Sequence, residues 1–150
     1  MIDLKQIVVA TDLSENSMHA VQYGCGLAAQ FGAQIHLLHV VCYPFADFAE
    51  QCQKDYGRTF DDYQRDYEQA ARDGLNRISI DPLTDSGNVT RVAQCGFPVS
   101  DISQYAGDTN SDLLILGTHG RTGVKHALMG SVCESVVRRA QCPVLTVRAP

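Results

Sequence analysis

The sequence predicts an α/β domain, a parallel sheet with helices on both faces. Three observations carry this. Short apolar, β-branched runs recur along the chain and alternate with stretches of helical periodicity. The runs are apolar at consecutive positions, as in strands buried on both faces. A glycine-rich segment, Leu113 to Ser135 (LLILGTHGRTGVKHALMGSVCES), joins one such run to the start of a helix.

Ile7 to Ala10 reads as the first strand and ends in Thr11-Asp12-Leu13-Ser14. Ser14 is an N-cap candidate for a helix from about Glu15 to Phe31, and Gly32 is a natural stop. Met18, Val21, Ala28 and Phe31 fit one face of it. Inside this helix, Gly24-Cys-Gly26-Leu-Ala-Ala29 matches a dinucleotide-binding pattern. It lies mid-helix instead of at a strand-to-helix turn, so it reads as close helix–sheet packing.

Ile35 to Val41 is the second strand. His36 and His39 fall on opposite faces of it and do not form a metal pair. From Phe45 to Ile78 an aromatic and aliphatic stripe (Phe45, Phe48, Cys52, Tyr56, Phe60, Tyr63, Tyr67, Ala71, Leu75, Ile78) repeats every three or four residues. This predicts crossover helix. With Gly57 inside it, one long helix and two shorter ones both fit, and the aromatic part also suits a partner subunit. Pro82 to Asn88 is a loop. Val89 to Ala93 is a short, more polar third strand, suited to a sheet edge. Pro98 opens a helix to about Tyr105. Leu113 to Leu116 is the fourth strand. Ser131-Val-Cys-Glu134 has the capping-box pattern of a helix running to about Ala140. Cys142 to Val147 is the fifth strand.

Bulk properties bound the function. The 150 residues suit a single domain spanning 1–150, and 45% apolar with 19% charged residues is ordinary for a globular chain. No apolar run approaches the roughly 18 residues of a membrane helix. The start of the chain lacks a signal-peptide layout, so a cytoplasmic location is expected. A net charge of −5 argues against nucleic acid as partner and leaves room only for a compact anion met by a local patch. The six cysteines form no C-x-x-C pair, so neither zinc ligation nor a thioredoxin-like motif is expected.

The local patch is the glycine segment. From Leu113 to Cys133 there is no acidic residue, while Arg121 and Lys125 are present. A strand, a glycine loop and a helix N-terminus in that order present backbone N–H groups to a phosphate. In parallel sheets ligands bind at the carboxyl ends of strands where the order reverses. Asp12 and Gly117 each follow a strand, and both face one crevice if those strands are neighbours.

Gly117-x-x-Gly120, nine residues, then Gly130-Ser131 resembles the motif G-x2-G-x9-G-[S/T] of the universal stress protein family. Val8 to Ser14, His39-Val40-Val41, Gly96-Phe-Pro98 and Cys142 to Val147 resemble further parts of that family, and the likeness spans nearly the whole chain. It implies a five-stranded parallel sheet of order 3-2-1-4-5, adenine-nucleotide alpha-hydrolase-like. It also implies ATP with Mg2+ or Mn2+ as ligand, and a homodimer through the C-terminal strand, Val144 to Val147. A regulated protein partner remains unidentified.

By the same resemblance, Ala10, Thr11 and Asp12 line the nucleotide site, with Asp12 near the ribose. The bland alternative for Asp12 is a helix-entry carboxylate. Val40 would meet adenine through its backbone. Gly117 and Gly120 would let the loop approach ribose and phosphates. Gly130, Ser131 and Val132 would present the β- and γ-phosphates with N–H groups. His119 and Arg121 are placed for phosphate, or only for solvent. Ser131 is in tension, because one hydroxyl cannot both cap the helix and hold phosphate. The loop is not a Walker A motif, and no residue reads as a catalytic base. Binding is therefore expected ahead of turnover. A slow ATPase or autophosphorylating enzyme is the second expectation. A thiol-based redox sensor, suggested by the six cysteines and by the place of Cys133 near a helix N-terminus, is the third.

Overall fold

The computed structural model describes residues 1–42, 50, 53–54, 56–81, 83, 87–120 and 129–150. Five strands, β1 (Gln6–Ala10), β2 (Gln34–Cys42), β3 (Val89–Gly96), β4 (Leu113–Gly117) and β5 (Val144–Val147), form one sheet of order β3-β2-β1-β4-β5. Every neighbouring pair is parallel. Among the described residues four helices are given full ranges: α1 (Glu15–Phe31), α2 (Phe60–Asn76), α3 (Pro98–Asp108) and α4 (Ser131–Arg139). The expected fold and strand order are those observed.

Alternation along the strands divides the core into two. Ile7, Val9, Ile35, Leu37 and Ile115 face one side, with Val21, Cys25 and Ala28 of α1 and Leu75 of α2. Val8, Ala10, Leu38, Val40, Leu114 and Leu116 face the other, with Ile102 and Ala106 of α3 and Cys133 and Val136 of α4. Fully burying one such aliphatic side chain stabilises by roughly 1.5–3 kcal/mol. The two-sided burial explains why the central strands read as unbroken apolar runs.

Local chemistry sets the helix ends. Ser14 caps α1, its Oγ accepting from Ser17 N at 3.3 Å, and Gly32 ends it at φ +65°. Gly24 has the packing role assigned to it, because a Cβ there would collide with Val9 Cγ2. Phe31, expected on the packed face, is instead exposed, and the buried stripe runs from Ser17 to Ala28. α2 starts afresh after Gly57 (φ +64°), with a capping box in which Thr59 Oγ1 accepts from Asp62 N at 3.2 Å and Asp62 Oδ2 accepts from Thr59 N at 2.9 Å. So α2 is a helix of its own. Its packing is done by Ala71 and Leu75, while Tyr56 and Tyr67 are exposed. Phe45, Phe48, Cys52 and Pro82 lie outside the described residues.

β3 runs to Gly96, three residues beyond the expected end, because Gln94 and Cys95 pair with Val40 and Val41 of β2. α3 continues to Asp108, and β5 is shorter than expected, beginning at Val144. The capping box expected at Ser131 is absent. The N-cap is Gly130, no side chain caps the helix, and Ser131 is its first residue. Glu134 instead accepts from Arg138 Nη2 at 3.0 Å.

Candidate functional site

β1 and β4 lie side by side, with β2 on the other flank of β1. Their crossovers leave toward opposite faces, since α1 packs on one core and α4 on the other. A crevice therefore opens above their carboxyl ends, as the reversal of strand order requires. It holds a cavity of about 470 Å³, within the usual size for small-molecule sites of about 300–1,000 Å³.

One wall is the turn after β1. Thr11 N donates to Leu38 O at 2.9 Å, the last β1–β2 bond. Asp12 Oδ1 accepts from Ser14 N at 3.0 Å and from Ser14 Oγ at 2.5 Å. Thr11 Oγ1 accepts from Leu13 N at 3.0 Å and bonds Ser17 Oγ at 2.8 Å. The helix-entry reading of Asp12 thus describes one of its oxygens. The other, Oδ2, lies where a Cβ on Gly120 would be. Gly120 is bare because Asp12 packs on it.

The opposite wall runs from Gly117 to Gly120 and from Gly130 to Cys133. Thr118 N donates to Val147 O at 2.9 Å, and Gly130 N donates to Thr118 O at 2.6 Å. A Cβ at Gly130 would stand 3.1 Å from Thr118 O, so the start of α4 is pressed onto the end of β4. Thr118 Oγ1 bonds His119 Nδ1 at 3.0 Å. The N-terminus of α4, without a side-chain cap, opens here.

The floor is β2, from His39 to Cys42. Leu38 turns its backbone toward β1. Strand backbones alternate, so Val40 turns the same way, at a level where β1 has already ended. His39 is buried, and its Nδ1 lies 2.8 Å from Thr11 O. A carbonyl only accepts, so Nδ1 carries the hydrogen. His36 is on the other face, bonded to Tyr105 OH at 2.8 Å, so the two histidines are separate.

Ten of the expected site residues line this one cavity: Ala10, Thr11 and Asp12 on the first wall, Gly117, His119, Gly120, Gly130, Ser131 and Val132 on the second, and Val40 on the floor. Arg121 and Lys125 lie outside the described residues. Thr118, Ser17, Pro98 and Ile102 also line it and were not anticipated. His39, expected only as one of two separate strand histidines, also lines the cavity. A signal existed, since an odd-numbered histidine in β2 points away from its even-numbered neighbours.

Cys133 corrects the thiol expectation. It sits in the first turn of α4, yet burial pushes its thiol up to about 11. The cause is burial, which disfavours the thiolate, so Cys133 is a packed thiol of the α3–α4 core. Among the described residues no group of three or more His, Cys, Asp or Glu could hold a metal ion. Asp12 is the single carboxylate among the described lining residues.

The chain matches the universal stress protein family over residues 3–148. It belongs to that family. Among curated family members, the universal stress protein MJ0531 of Methanocaldococcus jannaschii is 28% identical, covering 97% of this chain and 83% of its own. The solved structure of MJ0577, a universal stress protein of the same organism, superposes with a TM-score of 0.82 at 26% identity, covering 99% of both chains. A universal stress protein solved in complex with cAMP shares the fold at TM-score 0.64 and 23% identity, covering 99% of this chain and 100% of its own. Among the described residues, no helix of this family member is long and apolar enough to cross a membrane.

Proposed function

We propose that this chain is a cytoplasmic ATP-binding universal stress protein, a nucleotide-dependent regulatory homodimer in stress response. The observation that carries the reading is the cavity itself: an uncapped helix N-terminus faces a carboxylate across a crevice of nucleotide size at the strand-order reversal. A family member solved with cAMP supports an adenine nucleotide as the ligand class.

In this reading Val40 offers adenine a backbone N–H and C=O from the floor. Asp12 accepts from ribose hydroxyls. Gly130, Ser131 and Val132 meet the phosphates with backbone N–H groups and the positive end of α4. The Ser131 hydroxyl is not spent on a cap, which removes the tension in its assignment. His119 and Arg121 complete the phosphate side. One carboxylate among the described lining residues is too few to cage a divalent ion, so Mg2+ or Mn2+ fits as a passenger on the phosphates, held otherwise by water. The site is read as one for binding ahead of turnover. β5 is an edge strand, and pairing through Val144 to Val147 would cover that edge in the dimer.

Isothermal titration with ATP and magnesium tests the reading, with saturable binding expected at millimolar nucleotide or below. A folded protein that releases no heat and retains no nucleotide would sink it. For the dimer, sedimentation showing only monomer at high concentration would refute pairing through β5.

A further inference from the structure

We propose that Leu13 is the positioning residue of this site: seated in a notch of α2, it locks the Asp12 carboxylate against the glycine wall. The ligand in this statement rests on the nucleotide reading of the cavity, whereas the lock rests on geometry alone.

Leu13 has φ +65°. The other described non-glycine residue at positive φ is Asn110, at φ 50°, and asparagine tolerates that region. A leucine does not, because its Cβ crowds the following carbonyl. It stays there only where its surroundings over-determine it. They do so from three directions. Before it, Thr11 is tied to β2 through both backbone groups: its N donates to Leu38 O and its O accepts from His39 Nδ1. Thr11 Oγ1 then accepts from Leu13 N. After it, Ser14 is bonded back to Asp12 through N and Oγ. Third, the Leu13 side chain packs into the core on the α1–α2 side of the sheet.

The seat is Gly74. A Cβ there would stand 2.5 Å from Leu13 Cδ1, 3.6 Å from Cγ and 3.7 Å from Cδ2. Glycine is a poor residue for the interior of a helix, so its presence in α2 calls for a reason, and the leucine supplies one. Asp12 and Leu13 are neighbours in sequence, and each side chain presses on a glycine: Asp12 on Gly120 of the cavity wall, Leu13 on Gly74 of α2. The left-handed turn at Leu13 is what sends the two in different directions. A single residue therefore connects α2 to the polar wall of the cavity.

Leu13→Gly removes strain and anchor together, so the protein should stay folded while the turn loosens. Two readouts then apply. In nucleotide-free protein, the Asp12 carboxyl 13C titration and the Ser14 amide shift should both move. By calorimetry, ATP affinity should fall about tenfold, as expected if only about a tenth of molecules keep the competent turn. Gly74→Ala improves helix propensity but displaces Leu13, and should shift the same two resonances and weaken ATP binding. Should Leu13→Gly fail to fold, Gly74→Ala decides. Wild-type resonances and wild-type affinity in Gly74→Ala and Leu13→Gly would overturn the proposal. Failure of the wild-type protein to bind ATP would instead overturn the nucleotide reading, and the two resonances would still judge the lock.

Discussion

The two helix starts at the cavity, α1 after β1 and α4 after β4, are finished differently. Each follows a central strand, and they face each other across the cavity. At α1 the protein satisfies its own helix start. Ser14 caps it, Asp12 holds Ser14, and Thr11 holds Ser17. At α4 the N-cap is a glycine and no side chain closes the helix. A helix N-terminus carries partial positive charge and unpaired N–H groups in either case. At α1 Ser17 N is bonded within the chain, to Ser14 Oγ and Ser14 O. In the nucleotide reading, the N–H groups of α4 meet the ligand that enters the cavity. In that reading an anion settles on the α4 wall, across the cavity from Asp12.

The variant that strikes both walls at once should have the largest effect. Gly120→Val would place branched carbons on the Asp12 carboxylate, displacing the turn and filling the crevice. ATP affinity should drop on the order of a hundredfold, two decades at about 1.4 kcal/mol each. Calorimetry checks this, and a near-normal affinity in a folded Gly120→Val protein would contradict the contact. A smaller effect separates the walls. Ser14→Ala removes a working cap and should cost about 1 kcal/mol of stability, read from urea unfolding. Gly130→Ser gives α4 the cap it lacks, where exchange of glycine for serine changes helix stability by only a few tenths of a kcal/mol. Its cost should appear in ATP binding, because the new Cβ would press on Thr118 O at 3.1 Å. A loss of stability at Ser14 and a loss of binding at Gly130 is the pattern that upholds the contrast; the reverse pattern would break it.

What could be read in the sequence was what short-range chemistry decides. The limits of α1 follow from a serine and a glycine at its ends. The central strands follow from unbroken apolar runs. The crevice follows from Asp12 and Gly117, each one step past a strand. What could not be read depends on contacts distant in sequence. Ser131-Val-Cys-Glu134 has a capping pattern, but Gly130 takes the cap because α4 is pressed onto Thr118. Cys133 has the address of an activated thiol, but the α3–α4 core buries it. Thiol labelling near pH 8 should therefore be slow at Cys133 and faster at exposed Cys42. Leu13 looks like any leucine in a turn. Nothing local announces that it is left-handed or that Gly74 awaits it.

The smallest expected effect concerns His36, and it tests whether the cavity is electrically separate from the rest of the sheet. His36 lies between β2 and α3, and burial there holds its imidazole below the usual value of 6.5. Its partner Tyr105 is pushed above 10.0 for the same reason. The signs then follow. Above about pH 6.5 His36 is neutral in both folded and unfolded chains and contributes no pH dependence. Below that, the unfolded chain takes up the proton first, so stability falls as the pH drops toward the folded value. Tyr105 acts at the other end, where stability is lost as the pH rises above 10 and the unfolded phenol ionises first. Urea midpoints between pH 8 and pH 5 should decline slightly in the wild type and stay flatter in His36→Gln. The ATP affinity of His36→Gln should match the wild type throughout, because His36 faces α3 and not the cavity. An affinity change in that variant would mean that the floor of the cavity and the far face of β2 act together.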